Sequence, residues 1–284
     1  VNFDFTDDQR EIQRTARELL AARSPLERVR AVAEGAPTQS AAGAYDAALW
    51  DELVALGWTG IAFDERFGGQ GLGVLELAIL IEELGYAVTP SRLLSNAVAG
   101  LVLDACGSEE QRAELLPGIV DGTATATAGL VRDGVAELVP DADSARWIVL
   151  LGQDGLGGGL VAADAPGVEI TPVASIDPTR RYARVRVGPG AADAMASLAC
   201  DVADGLDRAE IALAAELVGL SRRALDLTVA YAKERTQFGT PIGAFQAVSH
   251  RCAEMLRATE GARSATCFAA WAADADPAAL ARGA

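Results

Sequence analysis

The stretch YAKERTQFGTPIGAFQ, Tyr231 to Gln246, joins two long apolar-periodic runs through a sharp turn. Upstream, apolar residues recur at Leu206, Ile211, Leu213, Leu217, Leu220, Leu225, Leu227 and Tyr231, and this spacing predicts a helix over about 206–236. Gly239 and Pro241 end it, and a second helix follows over about 244–273, ahead of Asp274 to Pro277. Inside the turn, Arg235, Gln237 and Phe238 place a planar cation, an amide and an aromatic ring within four residues, a set suited to a diphosphate and a flat heterocycle. The same residues also make a good helix terminus, with Arg235 at the negative end of the dipole, Gly239 as cap and Phe238 packed underneath. On these residues alone both readings stand.

Working outward, the first third of the chain is also helical. Thr6 and Gln9 form a capping-box pattern ahead of Ile12, Ala16, Leu19 and Leu20, and Ser24-Pro25 ends or restarts that helix. A loop rich in Gly, Pro and Ser, from Gly35 to Gly43, precedes a run from Leu49 to Leu56 closed by Gly57. Runs from Leu75 to Leu84, closed by Gly85, from Arg92 to Ala105, and from Ser108 to Leu116, stopped by Pro117, complete a bundle of about five helices. From Gly122 the pattern changes to short segments bounded by Gly, Pro and Asp: Thr123 to Thr127, Trp147 to Leu151, Gly159 to Ala163, Val168 to Val173 and Tyr182 to Val187. The order helices, strands, helices predicts an α+β fold, mainly α, without alternating βαβ units. The expected units are an N-terminal helical domain (1–121), a small, shortened central β-domain (122–192) and a C-terminal helical domain (193–284).

Composition narrows the function. The 284 residues are 50% apolar and 23% charged, as in a folded globular protein. Forty acidic against 24 basic residues leave a net charge of −16, opposite to the footprint of a nucleic-acid binder. His250 and Lys233 are the only residues of their kinds, and Cys106, Cys200, Cys252 and Cys267 form no CxxC pair, so neither a metal site nor a redox motif is expected. The cysteines read as reduced, buried thiols. No apolar run approaches the roughly 20 residues of a membrane span, and no leader-like segment opens the chain, so a cytoplasmic location is expected.

Weaker motifs resolve to structure. Gly157-Gly158-Gly159-Leu160-Val161-Ala162 fits a loose GxGxxA, but Ala165-Pro166-Gly167 arrives before a helix could form, so a hairpin turn is expected. Phe67 to Gly73, FGGQGLG, reads as a tight turn ahead of a helix. The acid pairs Asp7-Asp8, Glu82-Glu83 and Glu109-Glu110 read as helix starts or solvated outer faces. Glu210 and Glu216 lie among Ala and Leu, where burial could raise a carboxyl pKa, yet a surface stripe is the favoured reading.

Arg235 to Gln246, followed by Ala253-Glu-Met255, resembles the C-terminal signature of flavin-dependent acyl-CoA dehydrogenases. Phe5 to Arg10, the span Leu53 to Gly85, and Gly107 to Pro117 are similar to further segments of that family in the same order. Asp177-Pro-Thr-Arg-Arg181 resembles a subset of actinobacterial subunits that work as unlike pairs on sterol side chains or other bulky acyl-CoA esters, one partner carrying a degraded site. The resemblance implies FAD at a subunit interface. Arg235, Gln237 and Phe238 would reach its diphosphate and adenosine end across that interface, with Gln246 nearby. It implies an acyl-CoA thioester substrate, a second acyl-CoA dehydrogenase subunit or a second copy as partner, and an electron-transfer flavoprotein as electron acceptor.

Departures from the family pattern matter as much. The Thr-Glu-Pro-x-Ala-Gly-Ser-Asp run and the Trp-Ile-Thr/Ser turn that hold the flavin ring within one subunit are missing, and the span from Leu130 to Trp147 looks too short for a further hairpin. The α-proton base of the family sits in a late helix or, in a minority, at the position of Ala209. Glu210 is one residue on, about 100° around a helix, so it is expected to point elsewhere. No catalytic residue is therefore assigned, and the base is expected beyond residue 284 or on a partner. The reading is a flavin-donating, non-catalytic subunit of a heteromeric acyl-CoA dehydrogenase. The alternatives are a self-sufficient homo-oligomer whose catalytic part is missing here, and a structural pseudoenzyme.

Overall fold

The computed structural model describes residues 4–35, 45–152, 157–199 and 203–275. Among the described residues six α-helices come first: α1 (Asp7–Arg23), α2 (Leu26–Gly35), α3 (Ala47–Ala55), α4 (Val74–Ala87), α5 (Leu93–Cys106) and α6 (Glu109–Val120). Thr6 and Ser108 each close a complete capping box, so two starts legible in the sequence are made by the expected hydrogen bonds. Ser24-Pro25 ends α1 and lets α2 restart at once. Most of the Gly35–Gly43 loop lies outside the described residues.

Two expected stops fail. Gly85 lies inside α4, where it is buried, and the helix turns left-handed only at Val88, φ 53°. Its missing side chain serves packing: a Cβ there would fall 2.2 Å from the Glu216 carbonyl oxygen. Pro117 likewise sits inside the last turns of α6, and its carbonyl still accepts from the Asp121 N–H at 2.9 Å. A proline removes one donor and need not end a helix that packing holds on its other side.

The middle of the chain forms β1 (Ala126–Val131), β2 (Val135–Pro140), β3 (Trp147–Gly152), β4 (Gly158–Ala162), β5 (Val168–Val173) and β6 (Tyr182–Val187), then a short α7 (Pro189–Ala194) and β7 (Ala196–Ser197). One sheet has the order β1-β3-β4-β7 with β1 and β3 parallel; the other is antiparallel, β2-β6-β5. The first strand begins three residues later than the Thr/Ala alternation suggests. β2 went unread in the sequence. Asp133 (φ 50°) and Gly134 (φ 75°) make the two-residue turn into it, closed by paired Arg132–Val135 backbone hydrogen bonds of 2.9 and 3.0 Å. The span from Leu130 to Trp147 therefore does hold a tight hairpin turn. The Gly157–Ala162 motif falls at the β3–β4 hairpin, as expected, with the intervening residues 153–156 outside the described set.

β3 shows why its run is continuously apolar. Ile148 and Leu150 face a core between the two sheets with Val139, Val161 and Val185, while Val149 and Leu151 face the main helical core. A strand buried on both faces has no polar side to alternate with.

The chain then runs through α8 (Ala203–Glu234), the two-stranded hairpin β8 (Thr236–Gln237) and β9 (Thr240–Pro241), and α9 (Gln246–Ala275). α4 is the hub, packing against α1, α8 and α9. Glu82 and Glu83 on it are buried, correcting the outer-face expectation. They are tolerated there because Arg17, Arg222 and Arg263, from three other helices, converge on them. Of the cysteines, Cys106 is buried and Cys252 and Cys267 are half-buried; Cys200 lies outside the described residues. Among the described residues no helix is long and apolar enough to cross a membrane, and no cluster of His, Cys, Asp and Glu could hold a metal.

Candidate functional site

Two features concentrate chemistry, and α8 carries both. At its C-terminal end the chain turns through β8 and β9 over Phe238 (φ 53°) and Gly239 (φ 75°), the pair of positive φ angles a two-residue hairpin needs. Gly supplies such an angle freely, whereas a bulky side chain does so only at a cost. Phe238 nevertheless holds it and is 94% exposed. The expectation that Phe238 packs underneath a helix cap therefore fails. The ring meets the Phe245 ring edge-on, at 6.4 Å between centroids, and Phe245 directly precedes Gln246 at the start of α9. Arg235, Gln237 and Gln246 are also exposed. Among the described residues the Arg235 guanidinium makes no ion pair; its backbone bonds to Tyr231 and Ile242, each 2.8 Å, hold the hairpin on the helix end. The structure thus brings all four sequence-assigned residues to one projecting corner.

The second feature is a cavity of about 350 Å³ between α8, α5 and the edge of the β region. Leu94 and Val98 of α5 and Leu130 and Leu138 of β1 and β2 make its apolar walls. From α8 come Leu206, Ala209, Glu210, Leu213 and Glu216, spaced as one helical face. Ala209 and Glu210 both line the cavity, contrary to the expectation that the latter points elsewhere. The reason is that a face covering a cavity spans 100° or more, enough for both positions of an i+3, i+4 pair. Glu210 is exposed, whereas Glu216 is only 13% exposed and is paired with Arg180, so the surface-stripe reading fails for Glu216. Burial raises the Glu216 carboxyl above its usual range, against the pull of Arg180.

Sequence reasoning missed the polar end of this cavity. Asp141 (φ 54°) follows β2, is 5% exposed, and accepts hydrogen bonds from the Tyr45 hydroxyl and from Ser95 Oγ at 2.5 Å. Arg181 lies 5.6 Å from the Tyr45 ring centroid and pairs with Asp143. The one signal available was Asp177 to Arg181, read as a family resemblance; that its arginines meet acids about 36 and 38 residues away is a tertiary fact. Burial pushes the Asp141 carboxyl up, its two hydroxyl donors pulling the other way.

That shift has a measurable consequence. A carboxyl whose folded pKa lies above its unfolded value adds stability below the unfolded pKa and loses it as pH rises through the folded value. The stability of the protein relative to Asp141→Asn is therefore expected to be greatest below pH about 4 and to decline as pH rises above it, by about 1.4 kcal/mol per unit separating the two pKa values. Urea denaturation of both proteins across this range is the check. A difference independent of pH would show that burial does not control Asp141.

Residues 6–123 match the family model "Acyl-CoA dehydrogenase, N-terminal domain" and residues 201–284 match "Acyl-CoA dehydrogenase, C-terminal domain". The chain is 35% identical to acyl-CoA dehydrogenase IpdE2 of Mycobacterium tuberculosis over 245 residues, covering 84% of this chain and 70% of that protein. IpdE2 of Mycolicibacterium smegmatis is also 35% identical, with 78% of this chain and 65% of that protein covered. Among solved structures, a variant of the Tcur3481-Tcur3483 steroid ACAD superposes with a TM-score of 0.82 at 31% identity, covering 95% of this chain and 79% of that one. Butyryl-CoA dehydrogenase from Megasphaera elsdenii shares the fold, with a TM-score of 0.76 at 22% identity, covering 100% and 85%. The exposed cation, amides and ring at the hairpin corner are a donor set that fits FAD. The chain belongs to the acyl-CoA dehydrogenase family of FAD-dependent oxidoreductases.

Proposed function

We propose that this chain is a subunit of an acyl-CoA dehydrogenase that α,β-desaturates acyl-CoA thioesters, and that it donates part of the FAD site across a subunit interface. The carrying observation is the hairpin corner, where Phe238 is 94% exposed at a positive φ beside an Arg235 that has no ion-pair partner among the described residues. An exposed aromatic held in a sparsely populated backbone conformation supports a role in contact with something outside its own chain. Arg235 would pair with diphosphate oxygens, Phe238 would give a flat apolar face, and Gln237 and Gln246 would donate and accept through their amides. When bound, FAD supplies the acceptor for the substrate's β-hydride. Bulky acyl groups, a sterol side chain among them, fit the likeness to the steroid ACAD, and a second subunit fits the fold shared with the ChsE4-ChsE5 complex of Mycobacterium tuberculosis. An electron-transfer flavoprotein would then take the electrons onward.

The test is Arg235→Ala in the assembled complex. Loss of its charge-assisted contacts, worth roughly 1.5–3 kcal/mol, is expected to weaken FAD retention by one to two orders of magnitude while the protein stays folded. Undiminished retention on dilution would reduce the corner to a helix end.

Removal of the α-proton needs a free carboxylate near the thioester. Of the acids lining the cavity, Asp141 is held by two hydroxyls and Glu216 by Arg180, while Glu210 has no hydrogen-bond partner among the described residues. The reading adopted leaves the base to a partner chain or to sequence beyond residue 284, so Glu210→Gln is expected to leave turnover of the complex largely intact. The position of Glu210 on the cavity favours a different reading, in which this chain itself carries the base. A fall of several orders of magnitude in flavin reduction by acyl-CoA, at normal FAD occupancy, would select it.

A further inference from the structure

The cavity on α8 has an inner end unsuited to hydrocarbon. Arg180, from the loop before β6, donates through Nη1 to the Ser91 carbonyl at 3.2 Å and through Nη2 to Glu216 Oε1. Its side chain is 19% exposed and that of Glu216 13%, and both line the cavity together with Leu94, Val98 and Leu213. Glu216 Oε2 accepts no hydrogen bond among the described residues, and the guanidinium has N–H groups beyond the two in use. A spare acceptor and spare donors therefore stand side by side behind apolar walls. An alkyl group seated against them would strip their water and return nothing. A hydroxyl would return both bonds, its O–H donating to Glu216 and its oxygen accepting from Arg180.

Resting on the acyl-CoA reading above, we infer that the Arg180–Glu216 pair makes this cavity selective for acyl groups carrying a hydroxyl away from the thioester. It discriminates against the unsubstituted hydrocarbon of the same skeleton. The pair acts in recognition alone and takes no part in proton or hydride transfer. It is a specificity determinant because a site that pairs a hydroxyl rejects the analogue lacking it more strongly than apolar contacts distinguish one methylene.

The experiment compares CoA esters in matched pairs: hexanoyl, octanoyl and decanoyl, each with and without a hydroxyl on the penultimate carbon. The assembled, flavin-loaded complex is used, and both calorimetric Kd and flavin bleaching are read. The hydroxylated ester of the best length is expected to bind about tenfold or more tightly than its alkyl partner. Single substitutions would strand a buried charge, so the informative variant is Arg180→Met with Glu216→Leu, which removes both charges and is expected to fold with unchanged or higher Tm. In it the preference should vanish or reverse. Equal or tighter binding of the alkyl esters by the unmodified complex, or a hydroxyl preference that survives the double substitution, overturns the inference while leaving the acyl-CoA reading in place. Flavin bleached by none of the six esters, with none of them bound, would sink that reading and this inference with it.

Discussion

Glu82→Ala is expected to lower the unfolding free energy by about 3–5 kcal/mol, the range for breaking a buried ion pair by removing one partner. Glu82 holds the Arg222 guanidinium, and Arg263 Nε lies 2.9 and 3.1 Å from its two oxygens. Its neighbour Glu83 takes Arg17 through two bonds of 2.8 and 3.1 Å and Gln13 at 3.1 Å. These two carboxylates, 5% and 1% exposed, join α4 to α1, α8 and α9. Without Glu82, Arg222 and Arg263 remain at 20% and 27% exposure with their main counter-charge gone. Their stacking on Tyr86 and Phe5, each at 5.2 Å, prevents an easy swing into water. Denaturant titration measures the loss. Glu11→Ala, which breaks an exposed pair with Arg14, is the control and should leave stability nearly unchanged. Equal, small losses for both would show that the acids on α4 are no more than a solvated pair.

Gly219→Leu is expected to cost about 3 kcal/mol or more, at the upper end for overpacking a well-filled interface. A Cβ at Gly219 would lie 2.0 Å from the Glu82 carbonyl oxygen and 2.7 Å from the Tyr86 nitrogen, and one at Gly85 would lie 2.2 Å from the Glu216 carbonyl oxygen. The obstructing atoms are helix backbone on both sides, so relief requires α4 and α8 to move apart bodily. That movement would shift Glu216 from Arg180 and carry the hairpin corner with it, since both ride on α8. Loss of stability should therefore come with weakened FAD retention, although Gly219 touches neither feature of the site. Gly261, on an open stretch of α9 with nothing within 4 Å, provides the contrast: Gly261→Ala should be neutral or slightly stabilising. A Gly219→Leu protein as stable as its parent would mean that the two helices are not in close contact.

Much of the architecture was legible because local rules govern it. Capping boxes at Thr6 and Ser108 start helices through bonds three residues apart, and the strands from Trp147 to Val187 sit between turn residues that set their own backbone angles. The hairpin corner was legible as a turn, because Arg235, Gln237, Phe238 and Gln246 lie within twelve residues of one another. Their exposure alone needed the structure. What misled were residues whose role is set by distant neighbours. Gly85 and Pro117 read as stops, yet the surrounding helices hold them inside α4 and α6. Glu82 and Glu83 read as solvated because the arginines that neutralise them lie 66 to 181 residues away.

By itself, then, the sequence determined the succession of helices, strands and helices, the family, and the position of the Arg235–Gln246 turn, since periodicity, capping and a contiguous motif all act over a few residues. Only the tertiary structure decided the character of the cavity. Arg180 meets Glu216, and Asp141 meets Tyr45 and Ser95, across 36, 96 and 46 residues. The stability of a charge in such a place depends on burial and on its partner, and neither is a property of its neighbours along the chain.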